Sequence, residues 1–284
     1  MYNGVQIKEQ VTGEYKEGYL QGVIDSQAKK EELKSVLDKI NEQNEFQLFI
    51  KDKCGSFYFN FYKRLLDKIE PQYLTRFLCL CTYLDYEGRL VQKIGNKKVC
   101  VKENELQFIL KLSVRETFNT KKELIENGLM SVDNNMIYIN PKYCRKGDIM
   151  KNNKVEKVRM FDMGIRELYE MASKTEHKKL ALLIQLLPYI NLRWNVICKN
   201  PEEEIFENIK PYSIKEITAL LNRSNVTRLK RNLLNLTVNN EAVILINTNK
   251  YGELLTVNPK VYYKGVDISE LRYLIGLFSI NKDQ

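Results

Sequence analysis

Tyr212–Asn240 reads YSIKEITALLNRSNVTRLKRNLLNLTVNN, and its spacing decides how the rest of the chain is read. Apolar residues at Ile214, Ile217, Leu220 and Leu221 recur at helical intervals. Asn222, Arg223 and Ser224 interrupt that helix, and Ser224 or Asn225 is a suitable N-cap for a second one. The second helix turns Val226, Leu229, Leu233 and Leu236 inward and presents Asn225, Thr227, Arg228, Lys230 and Arg231 on its other side. No acidic residue occurs between Glu216 and Glu241. The pattern is that of a helix-turn-helix whose second helix carries a basic, amide- and hydroxyl-bearing front, a combination that can enter a DNA major groove. The alternative is an amphipathic core helix with a solvated basic face.

The residues that follow extend the pattern. Ala242–Asn247 (AVILIN) is strand-like, Thr248, Asn249 and Lys250 form a turn, and Gly252–Val257 (GELLTV) runs back. Helix, turn, helix and hairpin in this order predict a winged helix. The hairpin leads into Asn258-Pro259-Lys260 and then Lys264-Gly265. The same ending occurs earlier as Asn140-Pro141-Lys142 followed by Lys146-Gly147, 118 positions upstream when the two Asn-Pro-Lys triplets are compared. Before it, Glu103–Leu110 parallels Ser213–Leu221, Ser113 parallels Ser224, and Val114–Asn127 parallels the second helix. Ser131–Ile139 then supplies a shorter hairpin around Asp133-Asn134-Asn135. A repeat of that length is a duplicated domain rather than a solenoid.

These observations predict an α+β, mostly helical chain of two tandem winged-helix domains with a short N-terminal arm. The expected division is 1–44 for the arm and a polar helix, 45–150 for the first domain and 151–284 for the second. Charge follows that division. Residues 1–55 carry a net −2, residues 56–150 a net +5 and residues 151–284 a net +6, within a total of +9. Positive charge concentrated on both repeats suits a polyanionic partner. The first second-helix carries Arg115, Asn119, Lys121 and Lys122, but also Glu116, Glu123 and Glu126, and should attract phosphate less strongly.

Several local expectations complete the reading. Gln27–Gln43 is a polar helix with a stripe at Leu33, Val36, Leu37 and Ile40. Glu45–Lys51 (EFQLFIK) is a strand. Phe57–Ile69 and Phe161–Ser173 are helices opening the two repeats, and Gln72–Tyr83 and Glu176–Tyr189 are their buried helices. Leu90–Val101 forms a hairpin around Gly95-Asn96, 145–160 is a charged connector, and 269–280 is a closing helix.

Catalysis is not expected. His177 is the single histidine and lies in the solvated run Lys174–Lys179, so a Ser-His-Asp or Cys-His arrangement, or a paired-histidine metal site, has no residues to build it. The six cysteines form no Cys-x-x-Cys pair, which argues against zinc, and Cys79 and Cys81 sit in an apolar stretch as core thiols. No phosphate-binding glycine loop is present. The expectation is therefore no cofactor and no metal. No signal-peptide pattern or bilayer-length apolar segment is read, so the chain is expected in the cytoplasm.

The tandem plan, with a strand-ending Asn-Pro and a following Lys-Gly at Asn140-Pro141 with Lys146-Gly147 and at Asn258-Pro259 with Lys264-Gly265, resembles replication initiators of plasmids and phages from low-GC Gram-positive bacteria. The resemblance covers about residues 45–268. It implies sequence-specific binding of double-stranded DNA at origin repeats without chemistry of the protein's own. The same architecture serves transcriptional regulators, and a third reading is a protein-association module using the first winged helix and Gln27–Gln43. A homodimer and replication or transcription proteins are the further partners these readings allow. The candidate DNA-contacting residues are Arg223, Ser224, Asn225, Thr227, Arg228, Lys230, Arg231 and Lys250 in the second repeat, and Ser113, Arg115, Asn119, Lys121 and Lys122 in the first.

Overall fold

The structure, a computed structural model, describes residues 44–66, 68–147, 157–249 and 252–280, with scattered helical positions between 30 and 42. The N-terminal arm, the stripe Leu33, Val36, Leu37 and Ile40, residues 148–156 of the connector and Lys250 lie outside the described residues. The chain divides into two compact units, Met1–Phe49 and Ile50–Gln284. It is an α+β fold with small antiparallel sheets.

Residues 44–53 form a helix, α1, where a strand is expected. The alternation in EFQLFIK would put Phe46 and Leu48 on one side of a strand. Instead Phe46 and Ile50, four apart, are buried and Leu48 is 68% exposed, so the apolar residues follow the helical period.

The expectation of a helix opening each repeat needs a similar correction. Phe57–Asn60 is a strand (β1), followed by a single 3-10 turn at Tyr62–Arg64. Tyr58 and Asn60 are buried and Phe57 and Phe59 half-buried, which is period two. In the second repeat Val158–Phe161 (β7) is a strand within what reads as charged connector, and the helix α5 begins only at Asp162 and runs to Met171. β1 and β7 pair antiparallel, Phe57 opposite Phe161 through Asn60 opposite Val158. Each is flanked by the short strand that follows its own Asn-Pro-Lys triplet. Cys144–Arg145 (β6) lies against β1 and Tyr262–Tyr263 (β12) against β7, giving the order β12-β7-β1-β6.

On this sheet pack the two buried helices, α2 (Pro71–Cys81) and α6 (His177–Gln185), which also contact each other. Proline opens α2 where its missing N–H costs nothing. Tyr58, Phe77, Leu80 and Tyr262 are fully enclosed in this core, each burial contributing about 1.5–3 kcal/mol. Cys79 and Cys81 lie in it too, and desolvation pushes the Cys79 thiol up to about 12. α6 is shorter than Glu176–Tyr189, because Pro188 diverts its end into a 3-10 turn at Leu187–Tyr189.

Beyond this core each half repeats one main-chain pattern. In the first, a hairpin of Val91–Ile94 (β2) and Lys97–Cys100 (β3) leads to helices α3 (Leu106–Leu110) and α4 (Val114–Glu126). The hairpin Met130–Asp133 (β4) and Met136–Ile139 (β5) follows. In the second, α7 (Ile214–Leu220) and α8 (Val226–Leu234) precede an extra hairpin, Thr237–Val238 (β8) with Glu241–Ala242 (β9). The longer hairpin Ile244–Asn249 (β10) and Gly252–Val257 (β11) comes next, and helix α9 (Ile268–Ile280) closes the chain. Leu90 N donates to Ile137 O at 3.0 Å as Ile197 N does to Leu255 O at 2.9 Å. Ile139 N donates to Gly88 O at 2.8 Å as Val257 N does to Asn195 O at 3.0 Å, with both acceptors at positive φ. Asn191–Cys198 is thus a turn followed by isolated bridges rather than one strand.

The triplets are structural. Asn140 donates from Nδ2 to Gly128 O at 2.8 Å and accepts from Lys142 N at 3.0 Å. Asn258 does the same to Ala242 O at 3.0 Å and from Lys260 N at 2.9 Å. At Gly265 a Cβ would stand 2.7 Å from the Leu192 carbonyl oxygen, which explains the glycine in the second Lys-Gly pair.

His177 is buried, not part of a solvated run. Its ring stacks on Tyr169 with centroids 4.4 Å apart, and its Nδ1 accepts from Arg76 Nε at 3.4 Å. Burial, then the Arg76 charge, hold its pKa down at about 4. The unfolded chain, where His177 titrates near 6.5, therefore binds more protons between those values. Stability from this site is complete above about pH 6.5 and is lost as pH falls toward 4, by about 1.4 kcal/mol per pH unit. Unfolding free energies measured from pH 6.5 to 5 should fall more steeply in the wild type than in His177→Gln. Parallel curves would contradict the assignment.

Candidate nucleic-acid interface

The second helix pair is assembled by caps that its sequence encodes. Ser213 caps α7, accepting from Glu216 N at 3.3 Å while its own N–H donates to the Glu216 carboxylate at 2.9 Å. Asn222, at φ 52°, supplies the left-handed residue that ends α7 and lets the chain turn. Asn225 is the N-cap of α8, its Oδ1 accepting from Arg228 N at 2.8 Å. Leu229 and Leu233 are buried, with Val226 and Leu236 packed at the margin of the core.

Arg223, Ser224, Thr227, Arg228, Lys230 and Arg231 are all exposed, and Asn225 with them. Among the described residues Arg223, Arg228, Lys230 and Arg231 have no carboxylate partner. The acids that bracket them in sequence are held elsewhere, Glu241 by Lys260 and Glu216 by Lys199 at 2.5 Å, which keeps the Glu216 pKa down at about 2. Four cations without counter-charge on one short surface raise the local positive potential. Asn225 fits less well than expected as a reader of adenine. A bidentate amide contact needs both Oδ1 and Nδ2, and Oδ1 already serves the cap.

The first helix pair differs. Ser113 is the N-cap of α4, so it corresponds to Asn225 rather than to Ser224. Its hydroxyl accepts from Glu116 N at 3.3 Å and donates to the Glu116 carboxylate at 3.0 Å. Lys121 is half-buried and bonded to Glu103, which withdraws it from the surface. Lys122 lies 3.8 Å from Glu126. Arg115 and Asn119 are exposed and remain candidates. The same helix pair also exposes apolar side chains: Phe108 on α3 is 78% exposed, and Val114 and Phe118 on α4 are 70% and 57% exposed.

The acids of α4 are also less repulsive than the sequence implies. Glu116 accepts from Lys174 at 2.8 Å and lies 3.8 Å from Arg76, and the Lys174 bond leads in holding its pKa below the usual carboxylate range.

No family model, curated protein or solved structure matches this chain. The site is therefore read from its own geometry.

One part of that geometry is not foreseen by the sequence. Thr175 and Lys178, at the start of α6, line a depression together with Arg223, Ser224, Asn225 and Arg228. The same two residues line a neighbouring depression with Arg76, Glu116 and Asn119. They stand between the two helix pairs because α6 packs on α2 in the core, a long-range contact that no local pattern announces. Among the described residues, no helix is long and apolar enough to cross a membrane.

Proposed function

We propose that this chain is a sequence-specific double-stranded-DNA-binding protein built from two winged helices, and that it initiates replication of a phage or plasmid. The carrying observation is the exposed basic surface of Arg223, Arg228, Lys230 and Arg231 on and before α8, without a carboxylate partner among the described residues. A capped helix with two buried leucines behind and three exposed cations on its outer side, preceded by a fourth at Arg223, has the form of a recognition helix. The hairpins β4–β5 and β10–β11 take the place of wings, each joined by main-chain bonds to the segment before its helix pair. The role needs no catalytic group.

Origin recognition is favoured over an operator by the inequality of the two readers. A palindromic site mirrors two identical readers related by a dyad. Here one chain offers a basic helix and a partly apolar one, so the element that a single chain reads is asymmetric, and chains that bind singly suit iterated direct repeats. A second reading, in which the first helix pair seats another protein chain, is supported by the exposed Phe108, Val114 and Phe118.

The test is the salt dependence of binding to a fluorescent duplex. Neutralising about four phosphates gives a log–log slope of roughly −3 to −4. An affinity that stays flat between low and physiological salt would remove the DNA reading and leave the association module.

A further inference from the structure

We propose that Thr175 and Lys178 form a phosphate-contact site that carries one continuous DNA duplex from the second recognition helix toward the first. The inference rests on the reading of α8 as a DNA-contacting helix and adds residues of α6 and its approach to the interface.

The charge arithmetic of the run Lys174–Lys179 singles out one lysine. Lys174 is paired with Glu116 and Lys179 with Glu176, each at 2.8 Å. Lys178 is exposed and has no carboxylate partner among the described residues. No acid lines the depression that Lys178 shares with Arg223 and Arg228, so its cations attract an anion without internal competition. The one acid in the neighbouring depression is Glu116. Its Oε2 already accepts from Lys174 and Ser113, and its Oε1 faces Arg76. Positive character therefore persists from α8 past Lys178 toward Asn119 on α4.

The chemistry suits backbone rather than bases. A lysine ammonium is a compact point charge with three donors, matched to a phosphate oxygen but poor at discriminating base edges. The Thr175 hydroxyl, also exposed, adds a neutral donor of the kind that commonly contacts phosphate. Both side chains stand on the second repeat yet face the first repeat's helix, so a duplex held by them is shared by the two helix pairs.

The experiment measures equilibrium binding of the full chain to a 5′-labelled duplex of about 40 base pairs recovered by selection, over a series of salt concentrations. Wild type, Lys178→Ala, Lys178→Arg and Arg228→Ala are compared, with a melting curve for each. Lys178→Ala should weaken binding to all duplexes by roughly three- to tenfold, reduce the log–log salt slope by about one and leave base preference unchanged. Lys178→Arg should restore affinity and slope. If Lys178→Ala binds as the wild type while Arg228→Ala is weakened, this site is overturned and the reading of α8 stands. If neither substitution changes binding, both fall. Lys178 is exposed, so its variants should melt with the wild type, and a lowered melting temperature with parallel loss of all binding would assign it a structural role and overturn the proposal.

Discussion

Arg228→Ala is expected to lower affinity for the selected duplex by roughly 5- to 150-fold and to relax preference at one base pair, the range that removal of a bidentate guanidinium–guanine contact worth about 1–3 kcal/mol would give. Arg228 is exposed in the first turn of α8, where recognition helices meet base edges, and no carboxylate among the described residues competes for it. Arg231 lies one turn further on and is expected to contact phosphate, so Arg231→Ala should weaken all sequences alike. The corresponding changes in α4 should cost less, below about threefold each. Lys122 already spends its charge near Glu126, and Arg115 stands beside the exposed apolar Val114 and Phe118. A binding series in which Arg115→Ala and Lys122→Ala lose as much as Arg228→Ala and Arg231→Ala would contradict this asymmetry.

Lys260→Met destabilises the fold by about 3–5 kcal/mol, whereas Lys142→Met in the matching triplet changes it by less than about 0.5 kcal/mol. Lys260 is mostly buried and lies 2.5 Å from Glu241, itself buried, whose other oxygen accepts from Asn258 Nδ2 at 3.2 Å. Removing the ammonium leaves an enclosed carboxylate whose remaining donor among the described residues is the Asn258 amide. Lys142 is exposed, its ammonium near the Tyr143 ring and without a carboxylate partner among the described residues. One motif therefore predicts two outcomes, separated by burial. In thermal unfolding the first variant should melt roughly 10 °C lower and the second with the wild type. Equal shifts would show that the triplets are energetically alike and that the Glu241 pair is not what distinguishes them.

The two cases also indicate how much of the molecule can be read from the chain. The helix pair Ile214–Leu234 is legible because each of its parts is local: a capping box at Ser213, a turn at Asn222, and buried leucines four apart at Leu229 and Leu233. Wing-like hairpins are legible where a turn is explicit, as at Asn134-Asn135, both at positive φ. The same signal at Asn239-Asn240 goes unread, because the polar pair follows directly on an apolar helix and is absorbed into its end. The central pairing of β1 with β7 is not legible at all. Four-residue strands carry too few alternations to outweigh a helical or charged context, and their partners are about 100 residues apart.

The candidate site divides in the same way. Exposed side chains on one helix can be listed from a helical period, and Thr227, Arg228, Lys230 and Arg231 are found so. The pairing of Lys121 with Glu103 is not visible in that period, because Glu103 lies outside α4. The helical period also cannot show that the Asn225 oxygen is used in the cap. Thr175 and Lys178 come beside the helix pairs only through the packing of α6 on α2, which no local pattern shows.

The central claim is sequence-specific recognition of duplex DNA, and the most direct measurement is capture of fragments from the native genome by the purified full chain at physiological salt, followed by sequencing. The account predicts strong enrichment of one or a few fragments that carry a short asymmetric element iterated as direct repeats, lost in the Arg228→Ala variant. A recovered population indistinguishable from the input DNA would contradict it.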